Sequence, residues 1–434
     1  MNASTQRLFI NLSTSALLVF VVTVLLRLAG SPSEDNAVGP ALDSSVDYLI
    51  GWLWAALLSF LVLLLPLGDR EKVVLFALWF LKVLVALGLM LVYEASYGLD
   101  SWSFFFQAVT GSDYLPLEGN IGVISSIEFL LKFHPASFHA IKVSMAFLGL
   151  AGVYCFYRAI VLYIEREDLR ILVFLALFPS ILFWSSILGK DPLNFLGVGL
   201  YALGAIGLMK TGRFSYFCLL IAGVALAFWI RTWNVFIMIV PLVIVSLWNL
   251  RDLIRVGSFV LVLAGVGVFF QTEVSEWVGR ITAMSLAEQL LTIDAVGKAF
   301  AEEGSSIGPP PELSSVSSVL LHMPSAVAGM LFRPLPGEVL NVFGILAGLE
   351  NVVLLVLLVQ AIRGFSRRKL DKSTCWAILY VILWAAVHGV VIKNYGTAMR
   401  FRLQILPILL ALLVYFGYWK VPSWTNERRT GDPS

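Results

Sequence analysis

The sequence predicts an all-α polytopic membrane protein with about twelve transmembrane helices and interfacial helices in its outer loops. Three observations carry that expectation. First, 59% of the 434 residues are hydrophobic and only 13% are charged, against roughly 25% charged in an ordinary soluble domain. The mean hydropathy of +0.88 agrees, and so large an apolar fraction cannot be hidden in one globular core. Second, stretches such as 16–26, 53–67 and 352–359 are apolar almost without interruption, as membrane spans are. Third, the short loops between such stretches differ in charge from one side to the other. The balance of 30 basic and 28 acidic residues, a formal net charge of +2, supplies no bulk charge for nucleic acid. Cys155, Cys218 and Cys375 each sit in an apolar run, so neither a disulfide framework nor a metal cluster is implied.

At about 20 residues per span, helices are expected near 8–29, 48–67, 73–93, 139–162, 170–188, 192–209, 214–230, 233–249, 256–271, 338–361, 374–392 and 403–419. The apolar run after Arg7 exceeds a signal-peptide core and reads as an uncleaved first helix. One set of loops carries Arg70 and Lys72, Arg166 and Arg170, Lys210 and Arg213, Arg251 and Arg255, then Arg363, Arg367, Arg368, Lys369 and Lys372, and the tail adds Lys420, Arg428 and Arg429. The positive-inside rule puts these in the cytoplasm, with both termini. The loop 30–47 holds Glu34, Asp35, Asp43 and Asp47 without a basic residue, which suits the outer side. The expected organisation is three helices over 1–93, an outer loop with interfacial helices over 94–138, a transmembrane core over 139–271, an outer loop or lid over 272–337, C-terminal helices over 338–420, and a tail over 421–434. The first outer loop is aromatic (Trp102, Phe104, Phe105, Phe106, Phe129, Phe133) and suits short interfacial helices. The second joins an amphipathic stretch, 281–300, to Gly304-Ser305-Ser306 and Pro309-Pro310-Pro311, a helix followed by a mobile connection.

Several charges stand at the outer membrane edge, the basic ones against the topological bias: Asp100, Lys190-Asp191, Arg231, Arg333, Arg400 and Arg402. Singly, each is explained by snorkelling or a structural ion pair. Together, four arginines and a lysine on one face suit an anion such as phosphate or pyrophosphate, because guanidinium forks match phosphate oxygens. Asp191-Pro192 also reads as a helix start. Arg400 and Arg402, spaced i, i+2, cannot share one helix face. Lys82, in the middle of a span, must pair or face a polar interior. The four histidines, His134, His139, His322 and His388, show no metal-ligand spacing.

The run Leu99-Asp100-Ser101-Trp102-Ser103-Phe104-Phe105-Phe106, with 120–138 and the following helix, resembles the first outer loop of the GT-C superfamily of membrane glycosyltransferases. The segment 178–192, ending Leu188-Gly189-Lys190-Asp191-Pro192, is similar to a later hairpin of that superfamily, and 394–402 to a segment of exopolysaccharide-cluster membrane proteins. In the superfamily the Asp loop follows the first helix, whereas Asp100 follows the third, which implies two added N-terminal helices. The resemblance implies a GT-C-like fold in a bacterial inner membrane and inverting transfer of a sugar from a polyprenyl-phosphate or polyprenyl-diphosphate donor to an acceptor glycan or lipid on the outer face. It makes Asp100 the general base and Asp191 a second acid. Lys190, Arg231, Arg400, Arg402 and Arg333 become the phosphate ligands, and Glu94 and His322 reserve candidates. It leaves a divalent metal on Asp100 and Asp191 open. The competing readings are an O-antigen-type polymerase or ligase, a transporter or flippase, and a structural subunit of a polysaccharide machine. Gly68-Asp69-Arg70-Glu71-Lys72 resembles half of a major-facilitator loop signature, but the sixth and seventh spans are joined only by about 210–213 and no repeat relates the halves.

Overall fold

The computed structural model describes residues 45–98, 100–111, 120–133, 136–247 and 315–417, with isolated positions between 257 and 298. The described residues are helical throughout, without a strand. In order they form α1 (Ser45–Leu64), α2 (Asp69–Tyr97), α3 (Ser101–Thr110), α4 (Ile121–Leu131), α5 (Phe138–Ile164), α6 (Leu169–Leu177), α7 (Pro179–Trp184), α8 (Lys190–Thr211), α9 (Phe214–Ile230), α10 (Asn234–Ser246), α11 (Val316–Phe332), α12 (Val342–Gly364), α13 (Lys372–Val391), α14 (Tyr395–Arg402) and α15 (Leu406–Gly417). This is an α-helical polytopic membrane architecture.

Six of these helices are long and apolar enough to cross a bilayer: α1, α2, α5, α8, α12 with its 3-10 extension, and α13. The pair α14 and α15, bent by 73°, makes a seventh if counted as one broken span. Of the twelve expected spans, four are not confirmed at full length among the described residues, the one near 403–419 being the second half of that bent pair. The span expected near 170–188 is broken, because Pro179 starts α7 and holds Phe178 extended, as residues before proline are held. The segments near 214–230 and 233–249 form helices of 17 and 13 residues; even the longer spans only about 25 Å of the roughly 30 Å hydrocarbon core. The spans expected near 8–29 and 256–271, most of the lid and its amphipathic stretch, His134 and the tail beyond 417 lie outside the described residues.

The chain divides into two compact units, Met1–Ala283 with Met399–Gln404, and Met284–Ala398 with Ile405–Ser434. In the first, α8 packs between α5 and α9, and α1 lies along α5. Gly204 lets α8 and α9 touch, since a Cβ there would overlap the Leu220 backbone; small residues serve this purpose in membranes, where dispersion contacts hold helices together. The short helices α3 and α4 fall within 94–138, the stretch for which short helices were expected, and pack on each other. Their Phe104, Phe105, Val123 and Ile127 form a buried cluster with Leu188, Leu193 and Ile230. Those last three flank Lys190-Asp191 and Arg231 in sequence, so apolar packing sets the backbone that carries the charges. In the second unit α12 packs on α15 and α11 on α13.

The turn between α7 and α8 is pressed against α5 at Gly149, where a Cβ would collide with the Ser185 carbonyl. Gly149→Ala is expected to lower thermal stability by about 1–3 kcal/mol, the usual cost of overfilling a packed contact. A melt in detergent unchanged from the native protein would show that this turn has slack.

Candidate functional site

Asp191 opens α8 and is 1% exposed. A carboxylate so buried needs partners, and two guanidinium groups supply them. Arg231 Nη2 stands 3.5 Å from Asp191 Oδ1, and Arg400 Nε donates a short hydrogen bond to Oδ2. Arg231 follows α9 in extended backbone, and its guanidinium lies 3.7 Å from the centre of the Phe401 ring and 5.8 Å from that of Trp233, a favourable cation-π arrangement. Burial lowers the Arg231 pKa to about 10; Asp191 opposes that shift and Arg400 adds to it. Arg231 therefore stays charged at neutral pH.

Lys190 is half-buried beside this triad, within electrostatic range of Asp191, Arg231, Arg400 and Asp100. Asp100 also acts on Arg400. The fold thus gathers Asp100, Lys190, Asp191, Arg231 and Arg400, with three cations against two carboxylates. Asp100 itself is exposed at the start of α3 and makes no side-chain capping bond.

The other predicted residues are placed differently. Glu94, the reserve base, is held by Lys142 Nζ at 2.5 Å and by the Ser101 hydroxyl at 3.2 Å. Arg402 is fully buried, whereas the Arg400 side chain is part-exposed and reaches Asp191. Arg333 and His322 belong to the second unit. Arg333 pairs with Glu338 through Nε at 2.9 Å and through Nη2. Burial raises the Glu338 pKa, but the hydrogen bonds from Arg333 and the Leu335 N–H outweigh it, so the net shift is downward. His322 Nε2 lies 3.0 Å from Lys393 Nζ, and its Nδ1 3.2 Å from the Ser325 hydroxyl.

A divalent metal on Asp100 and Asp191 does not suit this arrangement. Asp191 is engaged by two guanidinium groups, and among the described residues no group of three His, Cys, Asp or Glu side chains could hold an ion.

Sequence reasoning flagged Lys82 without finding its partners. Its Nζ reaches the Ser185 carbonyl at 3.1 Å, the Ser185 hydroxyl at 2.6 Å and the Ser186 hydroxyl at 3.1 Å. Both hydroxyls spend their own protons on the Ile181 and Leu182 carbonyls, so all three oxygens accept from Lys82, matching the three donors of an ammonium. Lys82 thereby clasps the turn that leads into Lys190-Asp191. Asn194 and Asn234 were also missed. The available signal was their position, each three residues after a singled-out charge in an otherwise apolar helix.

Comparison of the chain with protein-family models, with curated proteins and with solved structures returns no match.

Proposed function

We propose that this protein is a membrane glycosyltransferase of GT-C type, which moves a sugar from a polyprenyl-phosphate-linked donor to an acceptor glycan or lipid at the outer face of a bacterial inner membrane. The observation that carries this reading is the surplus of cations around Asp191. Lys190, Arg231 and Arg400 exceed Asp191 and Asp100 by one positive charge, a surplus that favours an anion. Exposed Asp100 lies within electrostatic range of Lys190 and Arg400, and is the carboxylate assigned to the incoming hydroxyl.

In the reaction, Asp100 takes the proton from the acceptor hydroxyl as its oxygen attacks the anomeric carbon. The bond from that carbon to the phosphate oxygen breaks, and its electron pair leaves on the lipid phosphate. Lys190, Arg400 and the buried Arg231 hold the growing negative charge, as preorganised cations do. Asp191 is the counter-ion that keeps both guanidinium groups in place.

The test is transfer of a labelled sugar from polyprenyl phosphate by the purified protein in vesicles. Arg400→Lys keeps the charge but loses the fork. A lost charge-assisted hydrogen bond of about 1.5–3 kcal/mol is expected to weaken donor binding roughly ten- to a hundredfold. Transport of a lipid-linked glycan without transfer would instead make the protein a flippase. The orientation is tested in a cysteine-free background: a Cys at Ser112 is expected to react with an impermeant thiol reagent from outside, and a Cys at Ser366 is not. The reverse pattern would move the site to the other face.

A further inference from the structure

The ionic contact at the start of α8 is repeated one turn later by an amide contact. Asp191 and Asn194 are spaced i, i+3 on α8 and so share a face. Opposite them, Arg231 and Asn234 are joined by a turn in which the Asn234 N–H donates to the Arg231 carbonyl at 3.0 Å. Arg231 faces Asp191 at 3.5 Å, and Asn234 Nδ2 donates to Asn194 Oδ1 at 2.9 Å. The result is a ladder of two rungs, about 4.5 Å apart along the helix. All four side chains are buried, the amides at 0% and 2% exposure.

Each rung is half-finished. Among the described residues the ionic rung leaves Arg231 Nε and Asp191 Oδ1 without a hydrogen bond, and the amide rung leaves Asn194 Nδ2 and Asn234 Oδ1. Buried polar atoms are nearly always paired, so the amide rung, with one donor and one acceptor orphaned, asks for a partner that carries both functions, whereas on the ionic rung Asp191 Oδ1 already has Arg231 Nη2 at 3.5 Å and the unpaired Arg231 Nε asks only for an acceptor. A hydroxyl meets the demand of the amide rung, because it accepts from an N–H and donates to a carbonyl at once. An ionised phosphate cannot donate, and an ammonium cannot accept.

We propose that the two rungs are one ligand subsite, in which the ionic rung takes a phosphoryl oxygen and the amide rung takes a hydroxyl of the attached sugar, so that Asn194 and Asn234 read the glycosyl group of the donor. This rests on the function proposed above and names the part of that site which distinguishes a sugar-bearing lipid from a bare one. The rival is an amide pair that merely joins helices, completed by water.

The experiment measures binding of the full-length protein, in detergent, to polyprenyl phosphate and to polyprenyl phosphate carrying glucose, galactose or mannose. The native protein is expected to prefer at least one glycosylated probe by about tenfold, the worth of two ordinary hydrogen bonds. The double variant Asn194→Leu/Asn234→Leu removes both amides together, an exchange that buried pairs tolerate. It is expected to keep its melting temperature and bind bare and glycosylated probes equally. Should it fail to fold, Asn234→Ala is expected to lose the greater part of the preference. Equal binding of all probes by the native protein, or a preference that survives both variants, overturns the sugar-reading role and leaves the glycosyltransferase reading standing. Binding of none of the four overturns both.

Discussion

Asp191→Asn is expected to cost about 3–5 kcal/mol of stability, the penalty for removing one member of a buried ionic group and leaving its partners uncompensated. Two features put it near the top of that range. The carboxylate is 1% exposed, so water cannot replace it, and it serves two guanidinium groups, which would repel each other across a neutral amide. A thermal or denaturant melt in detergent measures the loss. The diagnostic variant is Asp191→Asn with Arg400→Met, which removes a positive charge along with the negative one and is expected to recover part of the stability, because contacting residues couple by about 0.5–3 kcal/mol. Strictly additive losses would mean that the arginines do not depend on Asp191. Added pyrophosphate is expected to raise the melting temperature of Asp191→Asn, since an anion offsets the uncompensated cations.

Asp100→Asn is expected to act on the other axis. General-base catalysis contributes about 10²–10⁴-fold, so transfer in vesicles is expected to fall by that factor. The melting temperature is expected to hold, because Asp100 is exposed and contributes no side-chain cap to α3. Glu94→Gln is expected to do the reverse. Its carboxylate is held by Lys142 and Ser101, so its loss weakens the junction of α2, α3 and α5 before it touches chemistry. Sequence position alone could not separate these two carboxylates, which lie six residues apart. A full transfer rate in Asp100→Asn would remove the proposed base.

Hydropathy is a sum over neighbours in the chain, and what depends on neighbours was legible in the sequence. The apolar spans of α1, α2, α5, α8, α12 and α13, the short helices α3 and α4, and the cost of a lysine at position 82 all follow from local composition. So did the break at Pro179, in retrospect, since proline acts on the residue before it; the apolar run around it concealed the signal. The tertiary structure alone decided which charges meet. Asp191 and Arg400 are 209 residues apart, and Lys82 and Ser185 are 103 apart, so no window along the chain holds both partners. It also decided that Arg333 and His322 have partners of their own in the second unit. An ion pair needs contact within a few ångströms, and it is the close packing of α8 along α9, with Gly204 against Leu220, that sets the start of the one beside the end of the other.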